Sequence, residues 1–231
     1  MKNKHIIYKN NIQKKCLNSK LNKRLNTKYS DIFKNIITNL NTTRNTFHSL
    51  SNKFKFNFKS KELDRFKKFK TIVIIGMGGS ILGSEALYCF LKEKIKKNLL
   101  FFDDIDEDRL NDLKAKQDLK KILFIVISKS GNTIETLSNL FALKIIKKNS
   151  KNIIIISEKL NNSLYVLSKK MGLYHIGRKN YIGGRYSVLS EVGLVPAYLM
   201  GVNVLRLRKN LLNHFSGKNK NYLKDNSIKL A

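Results

Sequence analysis

The sequence has few of the features on which several protein classes depend. Its 231 residues include two cysteines, Cys16 and Cys89, too few for a disulfide framework or a four-ligand zinc site. We therefore expect a reduced chain of the cytoplasm. Long apolar runs are missing too: runs such as Thr71–Ile75 and Ile153–Ile156 are far shorter than the roughly 20 residues of a membrane helix. We therefore expect that the protein is not an integral membrane protein.

Acidic residues are scarce as well. There are 16 Asp and Glu against 46 Lys and Arg, which gives a formal net charge of +30. Such an excess raises the question of nucleic acid, because Lys and Arg on phosphates release counterions. Here the excess is spread along the chain, mostly as Lys, without an Arg-rich stripe. We therefore expect a solvated basic surface and no specific nucleic-acid partner, although the field can also steer an anionic substrate.

The N-terminal part, residues 1–70, differs from the rest of the chain. Its first 30 residues hold no Asp or Glu, but they lack the apolar core of a signal peptide, so a targeting segment is not favoured. Apolar residues recur at helical spacing from Ile32 to Leu40, with Asp31 as the expected cap. Phe54, Phe56 and Phe58 form a short extended pattern. We predict a helical or irregular extension here.

Residues 71–180 alternate short apolar runs with helix-length segments, and the helix after the third run is expected to extend to about Lys148. A hydrophobic content of 42% supports a folded core despite the charge. Runs that are apolar on both faces predict a parallel sheet covered on both sides, a doubly wound α/β domain. The predicted strands are Thr71–Ile75, Asn98–Phe102, Ile122–Ile127, Asn152–Ser157 and Leu173–Ile176.

Ligands of such sheets bind at the carboxyl ends of the strands, and a glycine loop, residues 76–83, follows the first run. Glycines let a backbone approach a ligand closely, and Ser80 adds a hydroxyl where a helix begins. The loop matches neither the dinucleotide fingerprint nor the P-loop, because Ile81 replaces the last glycine and no Gly-Lys-Ser/Thr follows. A tight turn without a ligand remains the alternative.

A second loop, Ser128-Lys129-Ser130-Gly131-Asn132-Thr133, follows the third run. Three hydroxyls, one ammonium and a helix N-terminus are what a phosphate needs. The alternative is that Thr133, with Glu135 or Thr136, simply caps the helix.

The third segment starts with Gly183-Gly184-Arg185 and continues into apolar residues at helical spacing. An arginine there can stabilise negative charge that develops in a transition state. An ordinary surface arginine is the alternative.

Together these stretches resemble the glucose-6-phosphate isomerase (phosphoglucose isomerase) family. The matching segments are IVIIGMGGSILG (72–83), FIVISKSGNTIET (124–136) and IGGRYSVLSEVGLVPAYLMGVN (182–203). The middle segment also matches the wider sugar-isomerase (SIS) domain superfamily. The resemblance implies a flavodoxin-like, three-layer domain of the SIS type over residues 71–180. Residues 181–231 would then hold the Gly-Gly-Arg active-site segment and the start of a truncated second domain.

The resemblance also implies an activity, the interconversion of glucose 6-phosphate and fructose 6-phosphate through an enediolate, without metal or cofactor. Arg185 is the implied catalytic residue, which stabilises the enediolate. Asn132 stands where many relatives have Thr. The residues implied in phosphate and substrate binding are Gly78, Gly79, Ser80, Ser128, Lys129, Ser130, Thr133 and Gly184.

Other functional groups of the family have no match in the sequence. Its base Glu, ring-opening His and late Lys lie beyond the Gly-Gly-Arg motif, and residues 204–231 match none of them; Glu191 is not the base position. The chain's own histidines match no family motif and are predicted to be surface or strand residues: His5, His48, His175 and His214.

We therefore expect the N-terminal part of a longer enzyme, homodimeric when complete and inactive as this chain alone. Residues 226–231 are interpreted as a helix that stops within two turns of its start. The alternative function is a non-catalytic SIS module that senses sugar phosphates.

Overall fold

The computed structural model describes residues 18–209 and 211–230, so Cys16 and His5 lie outside the described residues. A five-stranded parallel sheet in the order β2-β1-β3-β4-β5 is the centre of the fold. The strands are β1 (Thr71–Gly76), β2 (Asn98–Phe102), β3 (Ile122–Ile127), β4 (Ile153–Ser157) and β5 (Tyr174–Gly177). Each agrees with its predicted run to within one residue at either end, and the strand order is that of flavodoxin-like folds.

Helices connect the strands and flank the sheet. They are α1 (Ser19–Asn39), α2 (Ser60–Leu63), α3 (Leu82–Leu91), α4 (Glu107–Lys116), α5 (Ile134–Ala142), α6 (Ser163–Lys170), α7 (Glu191–Leu199), α8 (Val204–Arg208) and α9 (Gly217–Leu230). Short 3-10 turns fill several connections, among them Gly78–Ser80 and Gly184–Tyr186. Within the described part of the chain, no helix is long and apolar enough to cross a membrane.

Both faces of the sheet are buried. On one face, strand side chains such as Ile74 and Ile125 pack with Val195 of α7 and with Phe66. On the other face, Phe124 and its neighbours pack with residues of α4, α5 and α6. This arrangement confirms the predicted doubly wound α/β class. It also shows that α7 completes one layer of the same core, whereas the predicted boundaries at residues 70 and 180 stay a prediction.

The N-terminal extension contains the predicted helix, but the predicted cap is wrong. Asp31 lies inside α1, which begins 12 residues earlier, where the side chain of Asn18 accepts a hydrogen bond of 2.8 Å from Leu21 N. The extension is joined to the segment after the sheet by Arg208. Its guanidinium donates to the carbonyls of Ser49 and Ser51, at 2.7 and 2.9 Å, and to that of Leu189 at 2.9 Å.

Three further helix limits differ from the prediction. Helix α5 ends at Ala142 rather than near Lys148, because the chain turns at Lys144, whose φ of 52° is left-handed. Helix α9 begins at Gly217, well before the predicted start at residue 226. The segment after Arg185, whose apolar residues have helical spacing, becomes helical only at α7, of which Ser190 is the cap.

Candidate functional site

The three predicted loops meet at the carboxyl edge of the sheet, where β1 and β3 lie side by side. There they enclose an open cleft of about 390 Å³. Order reverses at this point, with β2 on one side of β1 and β3 on the other, and ligands of doubly wound sheets bind at such a switch point. The cleft is lined by Met77, Gly79, Ser80, Lys129, Ser130, Thr133, Glu158 and Gly184.

The glycine loop and the Gly-Gly-Arg segment are in direct backbone contact. A Cβ on Gly79 would stand 2.7 Å from the backbone nitrogen of Arg185 and closer still to Gly184. The Ser187 hydroxyl lies 3.1 Å from Gly79 O and 2.6 Å from Gly184 O, which joins the two segments. Only glycine at position 79 therefore permits this approach, while the exposed Gly78 supplies a turn with a φ of 50°.

The loop after β3 turns its hydroxyls towards one another. Thr133 Oγ1 lies 2.8 Å from Ser128 Oγ and 3.5 Å from Ser130 Oγ. Ser128, which is buried beneath the cleft, also accepts 3.0 Å from Gly131 N. Thr133 occupies the cap position of α5, but its side chain makes no capping hydrogen bond. The capping alternative is therefore wrong, and the positive end of α5 opens beside the hydroxyls.

Two cations stand close to these donors. Lys129 lines the cleft, and Arg185 lies on the neighbouring Gly184–Tyr186 turn. Both are exposed, and among residues 18–209 and 211–230 neither side chain has a hydrogen bond or an ion pair. Their charges are therefore available to an anion. Ser80, another residue predicted to bind the phosphate, is buried and lines the cleft.

Sequence reasoning missed Glu158, which directly follows β4. It lines the cleft although it is only 9% exposed, and its Oε1 is buried without a hydrogen-bond partner. Arg178, after β5, is 5% exposed and donates from Nη2 to Ile182 O at 2.6 Å, while its Nε and Nη1 have no partner. Burial lowers the pKa of Arg178. The negative charges of Glu158 and Glu191 act in the opposite direction and raise it. The available signal was position, since both residues stand at carboxyl ends of strands.

Glu191, predicted not to be the base, lies away from the cleft. It is fully buried at the start of α7, and its Oε1 accepts 3.0 Å from Asn57 N and lies 3.5 Å from Lys179 Nζ. These contacts give the carboxylate a structural role.

The histidines that the structure describes do not line the cleft. His175 is a strand residue, as predicted: it lies on β5 with Nε2 2.9 Å from Ser157 Oγ, and burial lowers its pKa to about 4. His48 is in a 3-10 turn, partly buried, with Nδ1 2.9 Å from the Tyr181 hydroxyl. His5 and the side chain of His214 lie outside the described structure. In the described segments, no group of His, Cys, Asp or Glu could hold a metal ion.

Comparison with known proteins adds family evidence to this geometry. The sequence model of the family described as phosphoglucose isomerase matches residues 13–219, which extends beyond the 72–203 stretch that carries the recognisable motifs. A probable glucose-6-phosphate isomerase from Methanococcus maripaludis is 36% identical over 159 residues, 64% of this chain and 36% of that protein. A glucose-6-phosphate isomerase from Borreliella afzelii is 40% identical over 141 residues, 56% of this chain and 26% of that protein.

A solved structure agrees with the sequence matches. The crystal structure of a glucose-6-phosphate isomerase from Chlamydia trachomatis is similar with a TM-score of 0.53 and 26% identity, covering 73% of this chain and 32% of that one. The matched part of this chain thus spans 26–36% of the length of these three relatives.

Proposed function

The chain belongs to the phosphoglucose isomerase family, and from this premise we propose that its cleft binds the phosphate of glucose 6-phosphate and fructose 6-phosphate. The longer protein to which it corresponds interconverts these two sugars. One observation above all supports the proposal: the hydroxyls of Ser128, Ser130 and Thr133 converge beside an uncapped helix N-terminus and next to the exposed Lys129. The alternative, a sensing module without catalysis, is not favoured by the family match.

Each residue of the proposed site has a part in holding the phosphate. Hydroxyls of Ser80, Ser130 and Thr133 line the cleft and donate to phosphate oxygens, and Lys129 balances their charge. Ser128 acts from below by positioning Thr133 and the backbone of the loop. The glycines at 78, 79 and 184 let the backbone come close to the ligand.

Arg185 is assigned to the chemical step. Isomerisation moves a proton between C1 and C2 and passes through an enediolate, whose negative charge needs a nearby cation. The Arg185 guanidinium, without a partner in the described structure, is on the turn that borders the cleft. Fixed positive charge directed at developing negative charge is among the largest contributions to catalysis.

Acid–base catalysis is the part that this cleft does not supply. Among the described residues that line it there is no histidine, and Glu158 is the one carboxylate. We expect the base, the ring-opening acid and a dimer partner to come from the longer protein, which acts in the cytoplasm without a metal or cofactor. The 231-residue chain should bind sugar phosphate without turning it over.

Calorimetric titration of the purified chain with glucose 6-phosphate tests the binding proposal. Lys129→Ala should weaken binding about tenfold or more, as expected for the loss of a charged hydrogen bond. Lys120→Ala is the matched control, because it removes an exposed lysine from the turn that precedes β3, whereas Lys129 follows β3. Absence of binding by the wild type, or equal affinities of the two variants, would contradict the proposal.

A coupled assay for fructose 6-phosphate formation tests the expected lack of turnover. Substantial isomerase activity of the chain alone would show that the acid–base groups are present in it.

A further inference from the structure

Glu158 is a carboxylate in a cleft whose other polar groups suit an anion. Its backbone is held in place by Asn162, whose Nδ2 donates to Glu158 O at 2.9 Å, and the Glu158 N–H points to Lys129 O at 3.4 Å. The side chain has no such support, since Oε1 is buried and unpartnered. A buried acceptor without a donor destabilises the protein unless something supplies one.

The nearby cation does not supply that donor. Arg178 interacts electrostatically with Glu158, but no ion pair within 4.0 Å joins the two side chains in the described structure. Two nitrogens of Arg178 also lack partners. The positive charge of Arg178 therefore stabilises a carboxylate at this buried position. It does not use the hydrogen-bonding capacity of the Glu158 Oε1 atom.

The chemistry of the cleft restricts which ligand can satisfy both its donors and its carboxylate. An ionised carboxylate only accepts hydrogen bonds, and a phosphate monoester dianion offers acceptor oxygens but no donor. The hydroxyls and Lys129 can donate to an anion, whereas Glu158, which lines the same cleft, can only accept. A ligand that carries a phosphate and free hydroxyls satisfies both, and a volume of about 390 Å³ falls in the range of roughly 300–1,000 Å³ typical of small-molecule sites.

We infer that Glu158 is a specificity-determining residue that accepts a hydrogen bond from a hydroxyl of the bound sugar. This inference rests on the proposed phosphate site and adds to it the selection of polyhydroxylated monophosphates over simple phosphate esters. The rival explanation is that Glu158 serves only as a countercharge for Arg178. In that case its removal would change stability and leave the preference among ligands unchanged.

A comparison of two ligands on two proteins separates these explanations. Glucose 6-phosphate and ethyl phosphate carry the same monoester group, but only the sugar has hydroxyl donors. The wild-type chain should bind the sugar phosphate at least about tenfold more tightly, and Glu158→Gln should reduce this ratio by about tenfold, the loss typical of a hydrogen bond to a charged group. Affinity for ethyl phosphate should stay unchanged or rise. Glu107→Gln, which removes an exposed carboxylate from the first turn of α4, should leave the ratio as it is.

The outcomes distinguish this inference from the proposed function. If the wild type binds ethyl phosphate and the sugar phosphate equally, or if Glu158→Gln keeps the wild-type ratio, the inference is overturned and the phosphate site stands. If the wild type binds neither ligand, both fail. Where Glu158→Gln does not fold, Glu158→Asp keeps the charge near Arg178 and withdraws the oxygens by one methylene. It should also lower the ratio, and an unchanged ratio in that variant would overturn the inference.

Discussion

The contact between the glycine loop and the Gly-Gly-Arg segment can be tested with a single methyl group. In Gly79→Ala, the new Cβ would lie 2.7 Å from Arg185 N and nearer to Gly184, whereas ordinary van der Waals contact begins at 3.4 Å. All of these atoms belong to the backbone, so no side chain can rotate away. The two segments must part by more than about 0.7 Å, and the cleft between them must change shape.

The size of the effect follows from this geometry. Overpacking a well-packed region costs about 1–3 kcal/mol, and the backbone on both sides of the contact places Gly79→Ala near the upper limit. For a chain of 150–250 residues each kcal/mol lowers the midpoint by roughly 2–4 °C, so we expect a decrease of roughly 6–12 °C. Thermal unfolding followed by circular dichroism measures it, and titration with glucose 6-phosphate should show weaker binding because Gly79 and Gly184 both line the cleft.

Gly184→Ala is the control on the other side of the same contact. A Cβ there meets nothing within 4 Å, so its thermal midpoint should stay within about 2 °C of the wild type, as for a substitution without strain. An unchanged midpoint in Gly79→Ala, or an equal decrease in both variants, would refute the proposed backbone contact.

Two further predictions concern other parts of the fold. The pKa of His175 is about 4 in the folded chain against 6.5 in the unfolded one, so the unfolded state takes up this proton first and stability falls as the pH drops from 6.5 to 4. We expect the free energy of unfolding to fall by about 2 kcal/mol, less than the full shift implies because the ring is partly exposed. Urea unfolding across this pH range should show the decrease, and the dependence on pH should be shallower in His175→Gln. An identical dependence in the variant would refute the assignment. Arg208→Lys should destabilise by about 2 kcal/mol in urea unfolding, because an ammonium cannot reach all three carbonyls that the guanidinium binds. The exposed Arg206 on the same helix gives the control, Arg206→Lys, and equal effects would show that the three hydrogen bonds contribute little.

The strands were predictable because their environment leaves few alternatives. A run such as Ile122–Ile127 is buried along its whole length, and a short apolar run with both faces buried is typical of a central parallel strand. Glycine or hydrogen-bonding residues then mark where each run ends. The site loops were predictable because they directly follow the ends of these strands, where the ligands of parallel sheets bind.

Helix limits were less predictable because they depend on single backbone conformations. The apolar pattern continues past Ala142 through Ile145 and Ile146, yet Lys144 adopts a left-handed φ and the helix ends. These isoleucines are therefore partly or fully buried as residues of the loop after α5 and not as part of a helix face. Asp31 is an example at the start of a helix. It precedes an apolar run and was therefore predicted to be a cap, but it lies inside α1, which begins at Ser19.

The buried charged residues near the cleft were the hardest to predict. Glu158 and Arg178 are both almost fully buried, whereas such residues are rarely buried unless paired. Their burial depends on two loops meeting after β4 and β5, which no local pattern indicates. Gly79 was assigned to ligand approach, and its close contact with Gly184 became visible only in three dimensions.

The loop after β3 is held to the start of α6 by hydrogen bonds that need no ligand. Asn132 Oδ1 accepts a hydrogen bond of 2.8 Å from Ser163 N, and Gly131 O accepts one of 3.0 Å from Leu164 N. Asn132 thus accepts a hydrogen bond from the first residue of α6, whose cap is Asn162. A phosphate that binds as proposed would meet a loop already fixed by these hydrogen bonds, so the conformational entropy that the loop loses on binding would be small.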